Sequence, residues 1–270
     1  MLLAIDTGNT QTVIGLFDGA DLADHWRIAT VASRTSDELA LMIQQFLGFH
    51  GFSFDDQVTG VAVCSGVPSV TAALRAMTTR YFGFEALVLE PGVRTGMPIL
   101  YDNPKEVGPD RIADAVGAYE LYGGPTIVVD FGTANTVEAI SGKGEYLGGA
   151  IFPGVEISMD ALFGRAAALR RVELVPPRNV IGKSTVESIQ SGVIYGFSGQ
   201  IDAIVDLPIT FFGGTSSTRR SSAARANSAS REISMPGTIA PPRYSPCALT
   251  ASTVFAVPKS TTIVGPPNRS

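Results

Sequence analysis

Two short runs in the chain combine a carboxylate, a glycine and hydroxyls at one spacing. They are Asp6-Thr7-Gly8-Asn9-Thr10-Gln11-Thr12-Val13 and Asp130-Phe131-Gly132-Thr133-Ala134-Asn135-Thr136-Val137. Asp, Gly, Thr and Val recur at equal offsets, and each run is entered by an apolar, β-rich stretch. A strand–Asp-x-Gly-x-Thr–strand hairpin suits a nucleotide phosphate. Glycine permits the backbone angles of a tight turn and lets main-chain N–H groups approach an anion. Asn9 and the Thr10 hydroxyl add donors. Asp6 would repel a phosphate directly, so its natural partner is Mg²⁺, held through water. One such hairpin is a weak signal, because Asp-Thr-Gly also occurs in plain hairpins and in aspartic proteases. Two aspartates sharing a proton would fit the protease. Against it, a full α/β programme separates the two runs, whereas those proteases are nearly all-β.

A third feature lies between the hairpins. Asn103-Pro104-Lys105-Glu106-Val107-Gly108-Pro109-Asp110-Arg111 reads as a turn opening into a helix. In isolation, Asp110 and Arg111 are a solvated pair at a helix start. Between two phosphate hairpins they become a candidate base beside a cation able to orient a substrate. Ile181-Gly182-Lys183-Ser184 resembles the end of a phosphate-binding P-loop, but Pro177 stands at its first glycine position and no strand precedes it. Ser184 reads instead as the cap of a helix, with Glu187 completing a capping box.

The elements that must position these groups follow from periodicity. Apolar runs at 2–5, 13–17 and 22–28 predict a three-strand meander. Leu39, Ile43, Phe46 and Leu47 predict a helix over 36–49, with Asp37 and Glu38 favourable in its first turn. A buried strand over 58–65, a helix over 68–81, a strand over 86–89 and a helix over 110–122 complete this half. The programme then restarts with strands over 126–130, 136–140 and 146–151, a helix from Val155 and a long helix over 184–206. Repetition of whole units predicts a duplicated α/β domain, residues 1–122 and 123–206, divided where Gly123-Gly124-Pro125 breaks a helix.

Composition narrows the function classes. The 270 residues are 45% hydrophobic and 17% charged, enough to fill a core, and the net charge of −5 argues against a nucleic-acid or anionic-membrane binder. Two histidines nearly exclude a histidine triad or a multi-histidine zinc site, leaving carboxylates for acid–base work. Two cysteines without a CxxC fit a reducing compartment. With no signal-like start and no membrane-length apolar run, a cytoplasmic protein is expected.

From about Leu207 the texture changes. Residues 207–270 are rich in Ser, Thr, Pro, Arg and Ala, and Glu232 is their one acidic residue. Stretches such as 215–225 and Pro241-Pro242-Arg243 show neither helical nor strand period, so an irregular tail is expected. A reading-frame change near residue 207 in GC-rich DNA would produce this mixture; a natural disordered tail is the alternative.

Four motifs, in order, carry a resemblance: 6–10, Tyr101-Asp102-Asn103 through Arg111, 130–134, and Gly148-Gly149-Ala150-Ile151-Phe152-Pro153-Gly154. Over residues 1–206 the chain resembles the type III pantothenate kinases of the actin-like superfamily. The resemblance implies two actin-like domains, each a mixed sheet with flanking helices, a homodimer, and transfer of a phosphoryl group from ATP to pantothenate, which opens coenzyme A synthesis. It implies Mg²⁺ and a monovalent cation, K⁺ or NH₄⁺. Asp6 to Val13 and Thr133 would bind ATP, and Asp130 would hold the monovalent cation. Tyr101, Gly108, Pro109, Asp110, Arg111 and Thr185 would hold pantothenate, with Asp110 as general base. Another actin-like small-molecule kinase, a non-catalytic regulatory relative or an inactive frameshifted product are the competing readings. Relatives continue past the long helix with a strand, a Thr-Gly-Gly-type turn and a final helix, for which Gly213-Gly214-Thr215 is a poor stand-in. The expected consequence is weak activity or poor solubility of this chain.

Overall fold

The computed structural model describes residues 1–53, 57–90, 92–211 and 261–264. Alternating or continuous apolar runs become strands where expected. β1 (Leu2–Thr7), β2 (Gln11–Asp18) and β3 (Asp21–Ala29) form an antiparallel meander. α1 (Ser36–Gly48) leads to β4 (Gly60–Ser65), which pairs parallel with β1. α2 (Pro68–Met77) runs into a π-helical turn over Thr78–Phe82, so the regular helix ends before Tyr81. β5 (Leu87–Leu89) closes a five-stranded sheet in the order β3-β2-β1-β4-β5. β4 lies inside it with both faces covered, which explains its nearly continuous apolar run. α1 opens with a capping box that the charge pattern only half revealed. The Thr35 hydroxyl accepts the Glu38 N–H at 3.3 Å, and the Glu38 carboxylate accepts the Thr35 N–H at 2.7 Å.

Each face of this sheet has its own core. Leu3, Ile5, Ile14, Leu16, Val61 and Val63 pack on α1 and α2 through Leu39, Ile43, Leu47, Val70 and Leu74. Ala4, Val13, Phe17, Ala62 and Cys64 form the second core, together with Ala113 of α3 (Pro109–Tyr122).

The second sheet repeats the opening: β6 (Thr126–Phe131), β7 (Ala134–Ile140) and β8 (Tyr146–Pro153) form an antiparallel meander. α4 (Val155–Arg165) and α5 (Thr185–Phe211) follow, α5 running five residues beyond the expected end. β6 has a further neighbour, β9 (Thr261–Val264), giving the order β8-β7-β6-β9. β9 runs antiparallel to β6, whereas β4 runs parallel to β1 at the corresponding place. Four β-branched residues of the segment expected to be irregular are therefore a strand. Residues 212–260 and 265–270, including Gly213-Gly214-Thr215, lie outside the described residues. The chain thus has the expected mixed α/β architecture of sheets with flanking helices.

α3 lies between the sheets. Ala113 meets the first sheet, while Ala115, Val116 and Ala118 pack on Val128, Ile140 and Tyr146 of the second. Small side chains on both sides let two sheets approach one helix. Its direction is fixed by its ends. Tyr119 rests against Gly144, beyond the far end of β7, and accepts the N–H of Gly123 ahead of β6. Arg111, at the other end, bonds Glu138 midway along β7. The N-terminus of α3 therefore points toward the end of the second sheet that carries the β6–β7 turn. No described helix is long and apolar enough to cross a membrane.

Candidate active site

The two hairpins look alike in sequence but are not in the same register. In the first, Asp6 stands opposite Val13 and Thr7 opposite Thr12. In the second, Asp130 stands opposite Thr136 and Phe131 opposite Asn135. The second turn is one residue shorter, with Gly132 N–H reaching Ala134 O, whereas Gly8 N–H reaches Gln11 O. A one-residue shift exchanges the faces of a strand. The equal offsets therefore mark equivalent aspartates and glycines, but not equivalent positions on β2 and β7.

Both aspartates nevertheless face the same space. Residues directly opposite in an antiparallel pair share a face. Asp6 shares the face of Val13, which belongs to the α3 side of the first sheet. Asp130 shares the face of Thr136, and two residues along that face stands Glu138, bonded to α3. The turns themselves touch: the hydroxyls of Thr10 and Thr133 lie 3.0 Å apart.

The first turn is braced from β3's end. Thr30 donates its hydroxyl to Gly8 O at 2.7 Å, so the Thr12 hydroxyl, 2.9 Å away, must be the donor to Thr30. The Thr30 N–H also reaches Thr10 O. Thr7, Thr12 and Val13 are buried and hold the turn's shape, while Asn9, Thr10 and Gln11 are exposed and can meet a ligand. In each hairpin a buried polar group at the last ladder pair has no partner among the described residues, the Thr7 hydroxyl in one and the Asn135 amide in the other. The second turn rests on β8. Gly154 N–H donates to Thr133 O at 3.0 Å, and a Cβ at Gly154 would lie 2.1 Å from Gly132 O.

The turn before α3 delivers the third group. Gly108 is the N-cap residue, Pro109 follows at the first position, and Asp110 is exposed in the first helical turn. The Asp110 carboxylate accepts the Arg111 backbone N–H at 2.9 Å. The Arg111 side chain does not pair with Asp110. It makes a two-pronged bond to the buried Glu138, Nε to Oε1 at 2.7 Å and Nη2 to Oε2 at 2.9 Å. The Tyr146 hydroxyl donates to the same Oε2, and the Tyr101 ring lies 6.4 Å from that of Tyr146.

Burial alone would lower the Arg111 pKa, but the hydrogen bonds and charge of Glu138 outweigh it and the net shift is upward. Burial, and then the bond to Glu138, push the Tyr146 phenol well above the tyrosine range. Its neutral form therefore stabilises the fold fully below about pH 10, and that contribution falls as pH rises above it. Tyr146→Phe is expected to remove about 1 kcal/mol of alkaline destabilisation between pH 10 and 11. Denaturant midpoints of both proteins across that range measure it; parallel profiles would refute it.

Thr185 opens α5, with the Ser184 hydroxyl accepting the Glu187 N–H as a cap. The reciprocal bond goes from Lys183 N–H, not Ser184 N–H, to Glu187. Thr185 itself is exposed and bonds to none of the Asp110–Arg111 groups among the described residues. A cavity of about 620 Å³ lies behind the Asn103–Arg111 turn, lined by Val107, Pro109 and Ile112, and includes no hairpin residue.

The sequence profile of the type III pantothenate kinase family matches residues 2–207. The chain belongs to that family. It is 59% identical to the type III pantothenate kinase of Streptomyces avermitilis over 209 residues, covering 76% of this chain and 79% of that one. The corresponding protein of Frankia alni is 55% identical, with 76% and 80% covered. That of Moorella thermoacetica is 53% identical, with 79% and 84% covered. The family match ends where the composition changes.

Sequence reasoning missed Thr30, Glu138 and Tyr146. Glu138 left one signal, a carboxylate within the apolar strand Val137-Glu138-Ala139-Ile140, where an unpaired charge would be costly.

Proposed function

We propose that this chain transfers the γ-phosphoryl group of ATP to pantothenate, giving 4'-phosphopantothenate. The observation that carries the reading is the meeting of the two glycine-containing turns at Thr10 and Thr133, at the end toward which the start of α3 points. Phosphoryl transfer goes through a loose transition state, so the protein's work is positioning and charge neutralisation. The main chain of residues 8–11 and the Thr10 and Thr133 hydroxyls hold the phosphates. Asp110 accepts the proton of the substrate hydroxyl as it attacks. Tyr101, the Gly108–Arg111 turn and Thr185 hold pantothenate. Among the described residues no three acidic, histidine or cysteine side chains gather into a metal cluster. Mg²⁺ would be held by one carboxylate, Asp6, together with the nucleotide. Asp130 is the candidate ligand of K⁺ or NH₄⁺. When bound, Mg²⁺ neutralises charge on the transferred group.

Exposed Ile151 on β8, Ile157 and Leu162 on α4, Ile181 before α5 and Val186 in its first turn support a homodimer. We place the enzyme in the cytoplasm and the division of its two halves near residues 122–125. An assay with ATP, Mg²⁺ and pantothenate, with and without K⁺, tests the reading. It is run on this chain and on a version whose residues from 208 onward come from the Streptomyces avermitilis relative. K⁺-dependent phosphopantothenate formation is expected, higher in the second protein. No product from either, with K⁺ present, sinks the reading.

A further inference from the structure

Glu138 is a buried carboxylate to which the proposed chemistry gives no task. Its side chain is 1% exposed, and both oxygens are committed: Oε1 to Arg111 Nε, Oε2 to Arg111 Nη2 and the Tyr146 hydroxyl. β8 is shaped around it. A Cβ at Gly149 would lie 2.2 Å from Val137 O and 2.4 Å from Glu138 Oε2, so glycine there spares both the β7 backbone and the carboxylate. Arg111 spends two of its five N–H groups on this contact. The other three make no bond to a described residue, and no Arg111 nitrogen is sealed away without a partner. The guanidinium also lies 6.0 Å from the Tyr146 ring, which fixes its tilt.

We infer that Glu138 is a positioning residue, holding the Arg111 guanidinium edge-on so that its remaining N–H groups face an oxygen acceptor of the substrate. An unheld arginine would lose rotamer freedom at each binding event; here that loss is settled when the chain folds. The substrate's identity rests on the pantothenate reading. The hold on Arg111 does not.

The test uses the full 270-residue chain and Glu138→Gln, whose amide would turn a donor toward donors while keeping the shape. Phenylglyoxal labelling of Arg111, followed by peptide mass, is expected to be at least about tenfold faster in Glu138→Gln, as a lost charge-assisted contact implies. The KM for pantothenate is expected to rise about tenfold or more, with the KM for ATP within about twofold. Glu138→Asp should recover part of the loss, and in an Arg111→Ala background, which has no cation to hold, Glu138→Gln should add nothing to the pantothenate KM. Equal labelling rates overturn the inference, as does a lower melting temperature with both KM values unchanged. Should Glu138→Gln not fold, Glu138→Asp is read in its place: the carboxylate is drawn back by one methylene, and a labelling rate and pantothenate KM unchanged in it also overturn the inference. A chain that turns over ATP without pantothenate specificity refutes the substrate reading alone, and the labelling rates still decide whether Glu138 holds Arg111.

Discussion

Asp110→Asn is expected to lower kcat about 10³- to 10⁴-fold and leave ATP affinity unchanged. Asparagine keeps the size of the side chain and an oxygen to accept the Arg111 N–H, so the start of α3 should stay in place. What disappears is the group able to take a proton from an attacking hydroxyl. Neither histidine offers a substitute at that place. His50 bonds Asp24 on the side of the first sheet that packs on α1, and His25 lies on β3, the edge strand of that sheet. Such a loss corresponds to about 4–5.5 kcal/mol of transition-state stabilisation. Steady-state kinetics and ATP-analogue binding on the two proteins measure it. A kcat within fivefold of the parent would remove Asp110 from the base role.

A single methyl group at Gly154 is expected to cost about 100-fold or more in kcat/KM for ATP. Gly154 has ordinary extended backbone angles, so alanine brings no conformational penalty there. The effect is steric. The new Cβ would lie 2.1 Å from Gly132 O and 2.6 Å from Thr133 O, and both atoms belong to backbone that cannot swing aside. The turn over 132–134 must move, taking with it the Thr133 hydroxyl that meets Thr10. Displacement of a positioning group by about 1 Å costs on the order of 10²-fold. Overpacking should also lower stability by about 1–3 kcal/mol. Both atoms lie in the β6–β7 turn and not in a strand, so far-UV circular dichroism should be retained. Normal ATP kinetics in Gly154→Ala would show that the second turn does not hold the nucleotide.

Much of this protein was determined by sequence alone. Strand and helix positions follow from periodicity over five to fifteen residues, as in the continuous run that became β4 and the Leu39, Ile43 and Leu47 stripe of α1. The hairpin aspartates and glycines, the Gly108–Arg111 helix start and the change near residue 207 are also local patterns. They carried the family assignment. Tertiary structure decided what depends on distant partners. Whether Thr133 meets Thr10, 123 residues away, is set by how the two sheets sit on α3. The one-residue difference in hairpin register comes from turn length and ladder pairing, which equal offsets in sequence conceal. The partner of Arg111 is the neighbour 27 residues on, not the adjacent Asp110, because α3 lays its first turn across β7. Sequence names the charged groups; only packing determines which of them meet, since burial makes a charge find its partner wherever the fold brings one.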